Sequence, residues 1–251
     1  MGGERRMELS KRLQAVADLV TAGYRVADIG TDHAYIPIFL LASGKIPGAA
    51  AMDVNEGPLE RARCHIEENG LSEKISLRLS DGLAGLRPGE AESVVIAGMG
   101  GGLIIHILTE GAEALKYVKE CVLQPQSEIE KVRAFLLKEG FLFIREDMVM
   151  DDGKYYPMMK VQPPNSAEKA GTASDGSAAS EVWSETELRY GKLLLENRNE
   201  TLRDFLKREI QIKRQILAGL TGRDSERIEE RRRVLEQELE YAEKGMEYYA
   251  V

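Results

Sequence analysis

Cysteine, histidine and long apolar runs are scarce in this chain, and each scarcity excludes a class of protein. The two cysteines, Cys64 and Cys121, form no Cys-x-x-Cys pair and no Cys/His cluster, so neither a disulfide framework nor a metal site is expected. No run approaches the roughly eighteen apolar residues of a membrane span, and the N-terminus shows neither a signal-peptide core nor a cleavage pattern. A cytoplasmic protein with no membrane partner is the expectation. Cations are in deficit: the formal net charge is -8, which argues against a broadly basic nucleic-acid glove but leaves local patches open. There is no P-loop, no Ser/His/Asp arrangement with supporting spacing and no glycosidase-like carboxylate pair. What the chain does have is length and apolar content, 251 residues at 43% hydrophobic, enough for one large α/β domain and an accessory segment.

Apolar spacing predicts a helix from Met7 to Ala22 stopped by Gly23, then strands at Tyr24 to Ile29, Ala49 to Val54, Ile75 to Leu79, Ser93 to Ala97 and Glu120 to Leu123. Helices fall between them, around Ile36 to Ala42, Leu59 to Ile66 and Leu103 to Leu115, with a further one from Glu128 to Glu139 capped by Ser127. Such alternation implies βαβ units and a mostly parallel sheet. The pattern then breaks. Phe141 to Met150 and Tyr155 to Val161 are two strands joined by Asp151-Asp152-Gly153-Lys154, a hairpin signal with no room for a helix. The expected fold is therefore a Rossmann-like α/β domain with a seven-stranded, mostly parallel sheet closed by an antiparallel hairpin. Class I S-adenosylmethionine (SAM) methyltransferases end this way, whereas nicotinamide-binding Rossmann domains normally end parallel.

Three segments are expected: a domain over 1–162, a flexible linker over 163–183 rich in Ala, Ser and Gly, and a helical accessory region over 184–251. In the last, Leu188, Leu195, Leu202, Leu206, Ile210, Leu217 and Leu220 mark one long amphipathic helix, broken at Gly222 to Ser225. Leu235, Leu239, Ala242, Met246 and Tyr249 then step four, three, four, three, a heptad seam predicting an antiparallel helical hairpin or short coiled coil. A monomer is expected, with weak self-association through that seam as the alternative.

The chemistry gathers where strands end. Val26-Ala27-Asp28-Ile29-Gly30 runs as an apolar strand into a glycine turn, and Asp32 and Ala34 stand where a dinucleotide fingerprint would want glycines. A nucleotide cofactor without a pyrophosphate fits better. Asp28 would hold the turn or attract the amino end of such a cofactor's methionine moiety, and Gly30 would allow close approach. Asp53, ending the second strand, suits a bidentate contact to ribose hydroxyls; the alternative is a helix cap. Asp81-Gly82 repeats the arrangement at the third strand, with Asp81 facing an adenine amino group or merely forming a turn. Ala97 leads into Gly98-Met99-Gly100-Gly101-Gly102, whose small residues leave room for a flat base beside the transferable group. His33 and Tyr35 project near the same cleft, one to orient an acceptor or take a proton, the other to stack or hydrogen-bond. His65 and His106 are read as helix-surface or packing positions. Further on, Arg198, Arg203, Lys207, Arg208, Lys213 and Arg214 outnumber Glu200, Asp204 and Glu209 by three. With Arg5, Arg6, Lys11 and Arg12 they could track a phosphate backbone, or simply be solvated.

Leu9-Ser10-Lys11-Arg12-Leu13, Ala27-Asp28-Ile29-Gly30-Thr31-Asp32-His33-Ala34-Tyr35-Ile36-Pro37 and Val95-Ile96-Ala97-Gly98-Met99-Gly100-Gly101 together resemble the bacterial tRNA adenine-N1-methyltransferases that act on adenosine 22. The resemblance extends from about Met7 to Val161 and again from Tyr190-Gly191 onward, with a longer link than usual around Pro163 to Ser180. It implies a class I methyltransferase domain, SAM as donor, a coiled-coil accessory domain and tRNA as substrate. It also raises Lys11 and Arg12 to cleft residues, Arg12 toward cofactor and RNA alike, and sets Gly101 beside the acceptor. The implied reaction is in-line attack of adenine N1 on the sulfonium methyl, in which positioning matters more than a strong base. Asp32 and His33, with Tyr35, are the candidate catalytic groups around the cationic product ring. The rivals are a methyltransferase of a small molecule or protein, and a non-catalytic SAM-binding interaction module.

Overall fold

The computed structural model describes residues 8–164, 182–220 and 225–250. The chain divides into two compact units, Met1–Glu181 and Val182–Val251. In the first, the strands are β1 (Val26–Ile29), β2 (Ala49–Asp53), β3 (Ile75–Leu79), β4 (Ser93–Met99), β5 (Glu120–Pro125), β6 (Leu142–Asp151) and β7 (Lys154–Gln162). They form one sheet in the order β3-β2-β1-β4-β5-β7-β6. The first five are parallel, and β7 runs antiparallel to both β5 and β6. The expected terminal hairpin is thus present, turned by Asp152 and Gly153 at φ 48° and 73°. Two successive positive φ values suit an Asp-Gly pair and match the twist of the flanking strands.

Helices cover both faces, so the inner strands are apolar on both sides. Ala27, Ile29, Val94, Ile96, Cys121 and Leu123 point into one core layer, packed by α4 (Gly101–Glu110), α5 (Ala112–Leu115) and α6 (Ile129–Lys138). Val26, Val95 and Val122, alternate residues of the same strands, point into the other, beneath α1 (Lys11–Leu19), α2 (Tyr35–Ala42) and α3 (Glu56–Glu68). Order reverses between β1 and β4, placing their carboxyl ends side by side at the crossover where open α/β sheets bind ligands.

Several boundaries differ from expectation. The first helix spans Lys11–Leu19, with the Ser10 hydroxyl accepting from Leu13 N–H at 3.3 Å, and ends before Gly23. Gly23 instead turns at φ 85° and donates to Lys45 O. The helix after β4 breaks at Gly111, where a Cβ would collide with Leu83. Ser127 does not cap α6; Glu128, at φ 53°, occupies that position without a side-chain cap bond.

The second unit contains α7 (Glu185–Tyr190), α8 (Lys192–Glu196), α9 (Glu200–Gly219) and α10 (Glu226–Glu247). The long helix expected from the leucine spacing is interrupted at Gly191 and Arg198, with φ of 93° and 50°. Spacing persists across these breaks because the buried face does. α9 and α10 form the expected antiparallel hairpin: Tyr249 OH donates to Asn199 O at 2.9 Å, and Lys213 reaches Glu238 at 2.7 Å. Leu202, Leu206, Leu235 and Ala242 are buried along it. Gly245 is an unforeseen member of the seam, a Cβ there lying 3.3 Å from Leu206. The predicted break at Gly222 to Ser225 lies largely outside the described residues, as does most of the predicted linker. Among the described residues no helix is long and apolar enough to cross a membrane, and no cluster of three or more His, Cys, Asp or Glu could hold a metal ion.

Candidate active site

The turn after β1 is built from strained backbone held at several points. Gly30 (φ 71°) and Thr31 both donate to Met52 O, at 2.8 and 3.0 Å, which fixes the turn to the end of β2. Asp32 and Ala34 follow in the left-handed region at φ 47° and 56°, a conformation that costs a non-glycine residue about 1–3 kcal/mol. Gly30 is favoured as glycine by its positive φ; a Cβ there would also displace Met99 Cε, the movable end of a flexible side chain. Around this turn a cleft of about 290 Å³ is lined by Arg12, Asp28, Gly30, Asp32, Ala97 and Gln126 among others. Gly98, His33 and Tyr35 also line it, so eight of the residues singled out from sequence meet in one place.

Asp28 is the electrostatic centre. It is buried, and its carboxylate accepts one hydrogen bond, from Thr31 Oγ1 at 2.6 Å. Among the described residues no cation pairs with it. Burial pushes its pKa from 3.8 to about 6; the Thr31 bond opposes this and the charge of Asp53 adds to it. A buried carboxylate short of positive charge, facing a cleft, is suited to a cationic ligand group.

Opposite, β4 is irregular between Ala97 and Met99, with Gly98 at φ 83°. Such a bulge re-aims the backbone beside the cleft. A Cβ on Gly98 would lie 3.5 Å from Arg12 Nη1 and 3.6 Å from Gln126 Nε2. Arg12 is held in place: Nη1 donates to Gln124 Oε1 at 2.9 Å, its guanidinium carbon lies 5.6 Å from the Tyr156 ring centroid, and its backbone N–H meets Asp151 Oδ2 at 3.1 Å.

The remaining wall is a cluster of rings. His33 and Tyr35 are offset-stacked at 5.0 Å between centroids, and His65 stacks on both, at 5.2 and 5.3 Å. Asp32 carries an ion pair with Arg61 at 2.6 Å and lies 3.6 Å from His33 Nε2. His33 Nδ1 is buried without a hydrogen-bond partner.

Lys11, Asp53, Asp81, Gly82, Met99, Gly100 and Gly101 do not line this cleft, although Met99 packs against Gly30 at its edge. Asp53 is buried at the end of β2, with Oδ1 accepting from Asn55 N–H at 2.9 Å; Asn55 itself is the N-cap of α3, so this bond holds the loop before the helix and does not cap its first turn. Asp81 is exposed and Gly82 packs toward Ile107. Gly100 caps α4. Gly101 is buried, and a Cβ there would meet Ser127 O at 2.6 Å, so its smallness serves helix packing rather than an acceptor. Lys11 is exposed at the start of α1.

In the second unit the cations divide. Lys213 is only 11% exposed, between Glu209 at 3.0 Å and Glu238 at 2.7 Å. Its expected RNA contact is corrected accordingly: the ammonium neutralises two carboxylates of the hairpin. Arg214 pairs with Glu243 at 2.6 Å, Arg203 pairs with Glu200, and Lys207 lies 3.9 Å from Asp204. Arg208 is exposed.

Sequence reasoning missed Thr31, Gln124, Gln126, Tyr156 and His65. Gln124-Pro125-Gln126 ends β5 beside the crossover, and that strand-end position was the available signal for it. His65 gave none, because its role depends on where α3 lies over the turn.

A seven-stranded sheet of this order, reversed at its last hairpin and bearing a cleft over the ends of β1 and β4, is the architecture of a Rossmann-like methyltransferase. Residues 9–159 match the family described as methyltransferase domain. The chain is 41% identical over 153 residues to the tRNA (adenine(22)-N(1))-methyltransferase of Bacillus subtilis (strain 168), an alignment covering 61% of this chain and 64% of that relative. The crystal structure of the B. subtilis m1A22 tRNA methyltransferase superposes with a TM-score of 0.76 at 31% identity, covering 95% of this chain and 99% of that one. A Streptococcus pneumoniae protein crystallised with S-adenosyl-L-methionine gives 0.80 at 30% identity, covering 95% and 100%. The chain belongs to the bacterial tRNA (adenine(22)-N(1))-methyltransferase family.

Proposed function

We propose that this protein transfers the methyl group of SAM to N1 of adenosine 22 in tRNA, acting as a monomer in the cytoplasm. The observation that carries it is the buried Asp28 at the crossover cleft, with no cation paired to it among the described residues, in a chain whose relatives are tRNA methyltransferases. The residues fit the cofactor. Asp28 would take the ammonium of its methionine end, Arg12 the carboxylate, and Asp53 the ribose hydroxyls, with Asp81 and Gly82 toward the adenine. When bound, SAM supplies an electrophilic methyl group on a sulfonium centre.

The chain's own work is then positioning. N1 of adenine is nucleophilic as it stands, so rate comes from holding it in line with the methyl and excluding water. Because the target lies in folded tRNA, the base must leave its stack to enter the cleft. The Gly98 bulge leaves space for a flat ring, and His33 and Tyr35 offer it a stacking wall. The ring becomes cationic as the N1–methyl bond forms and the sulfonium–methyl bond breaks; Asp32, its carboxylate held between Arg61 and His33, would stabilise that charge. Lys11, Lys207 and Arg208 are exposed cations suited to tRNA phosphates.

The test is to incubate the protein with methyl-labelled SAM and total bacterial tRNA, digest the RNA and identify the labelled nucleoside. Label in 1-methyladenosine is expected, and its loss in a transcript carrying guanosine at position 22. Transfer without RNA would instead establish a small-molecule or protein substrate, and SAM binding without transfer to any acceptor a binding module.

A further inference from the structure

The cleft's most strained segment is held by a residue that the sequence left without a role. Arg61 and His65 stand four apart on α3, hence on one face of it. Arg61 binds the Asp32 carboxylate at 2.6 Å, and His65 Nδ1 lies 3.1 Å from the carbonyl oxygen of His33. Two consecutive residues of the turn are thus gripped by one helix face, the first through its side chain and the second through its backbone. The gripped carbonyl sits between Asp32 and Ala34, the two left-handed residues. A backbone carbonyl only accepts, so His65 Nδ1 carries a hydrogen, and neutral His65 is the Nδ1–H tautomer. Its ring stacks on both rings of the cleft wall.

We infer that His65 is a positioning residue for methyl transfer, holding the 31–35 turn in its strained conformation and setting the face that His33 and Tyr35 present to the acceptor base. This rests on the proposed tRNA methylation. His65 does not line the cleft; it acts through the turn. Losing it leaves Asp28, Gly98 and Arg12 in place, so donor binding stays while acceptor alignment loosens.

Two measurements on the full-length protein test this. With three histidines in the chain, nitrogen NMR of labelled histidine resolves each tautomer, and neutral His65 is expected as Nδ1–H; an Nε2–H form would overturn the contact. In steady-state assays, His65→Ala and His65→Phe should lower kcat about tenfold with SAM affinity within about twofold of wild type, the signature of misalignment rather than lost binding. His65→Asn, whose amide can donate to the same carbonyl, should recover to within about threefold of wild type. Unchanged kcat in the alanine and phenylalanine variants, or parallel loss of kcat, SAM affinity and thermal stability in all three, would contradict it. A wild-type protein that methylates no tRNA would refute the proposed function and the kinetic part of this inference, whereas the tautomer reads the His65 contact in either case.

Discussion

Two buried carboxylates lie at opposite ends of the same parallel sheet. Glu120 opens β5 at the edge away from the cleft; Asp28 lies near the far end of β1. Glu120 is completed by the chain itself: Lys160 Nζ at 2.7 Å, Thr21 N–H at 2.9 Å and Thr21 Oγ1 at 2.5 Å. Lys160 also donates to Leu19 O at 3.0 Å, so the whole group is satisfied. Among the described residues Asp28 has one hydroxyl donor and no cation. Burying a charge is tolerated when it is paired and costly when it is not. The first arrangement holds the fold together, and the second leaves a deficit that a cationic ligand can fill.

Breaking each site should therefore give opposite results. Lys160→Met leaves Glu120 buried and uncompensated, and equilibrium denaturation should show a loss of about 3–5 kcal/mol with SAM affinity unchanged in the folded protein. Asp28→Asn should do the reverse. Its folded pKa lies above 3.8, so stability falls as pH rises from there through about 6, where the buried carboxylate ionises. The uncharged amide removes that cost, and at pH 7.5 the variant should be more stable by about 1–3 kcal/mol while binding SAM at least about tenfold more weakly by calorimetry. A destabilised variant with normal SAM affinity would erase the distinction between the two carboxylates.

How much of this was legible from residues follows the range of the interactions involved. Asp28, Gly30 and Gly98 were readable because strand ends and glycine turns are local, and the hairpin because Asp152-Gly153 encodes its own turn. The inner strands β1, β4 and β5 followed from apolar runs that are continuous because both faces are covered. Local patterns failed where a distant partner decided the outcome. Gly101 is small because Ser127 and Val132 crowd it, and Lys213 is internal because α10 brings Glu238 to it. Gly191 and Arg198 break a helix whose leucine spacing runs on, since periodicity records which face is buried and not whether the backbone is continuous. Gln124 had only its strand-end position as a signal, since Arg12 lies 112 residues away, and His65 had none, since His33 lies 32 away.

The most direct test of the central claim, that Asp28 awaits a cationic ligand, is the proton balance of SAM binding. Titration calorimetry at pH 6 in buffers of different ionisation enthalpy should show wild type releasing about half a proton more per SAM bound than Asp28→Asn, because a carboxyl half-protonated when free becomes fully ionised against the ligand. At pH 8 the difference should vanish. Equal proton release by the two proteins at pH 6 would mean that SAM does not complete Asp28, and the cleft's electrostatic account would fail.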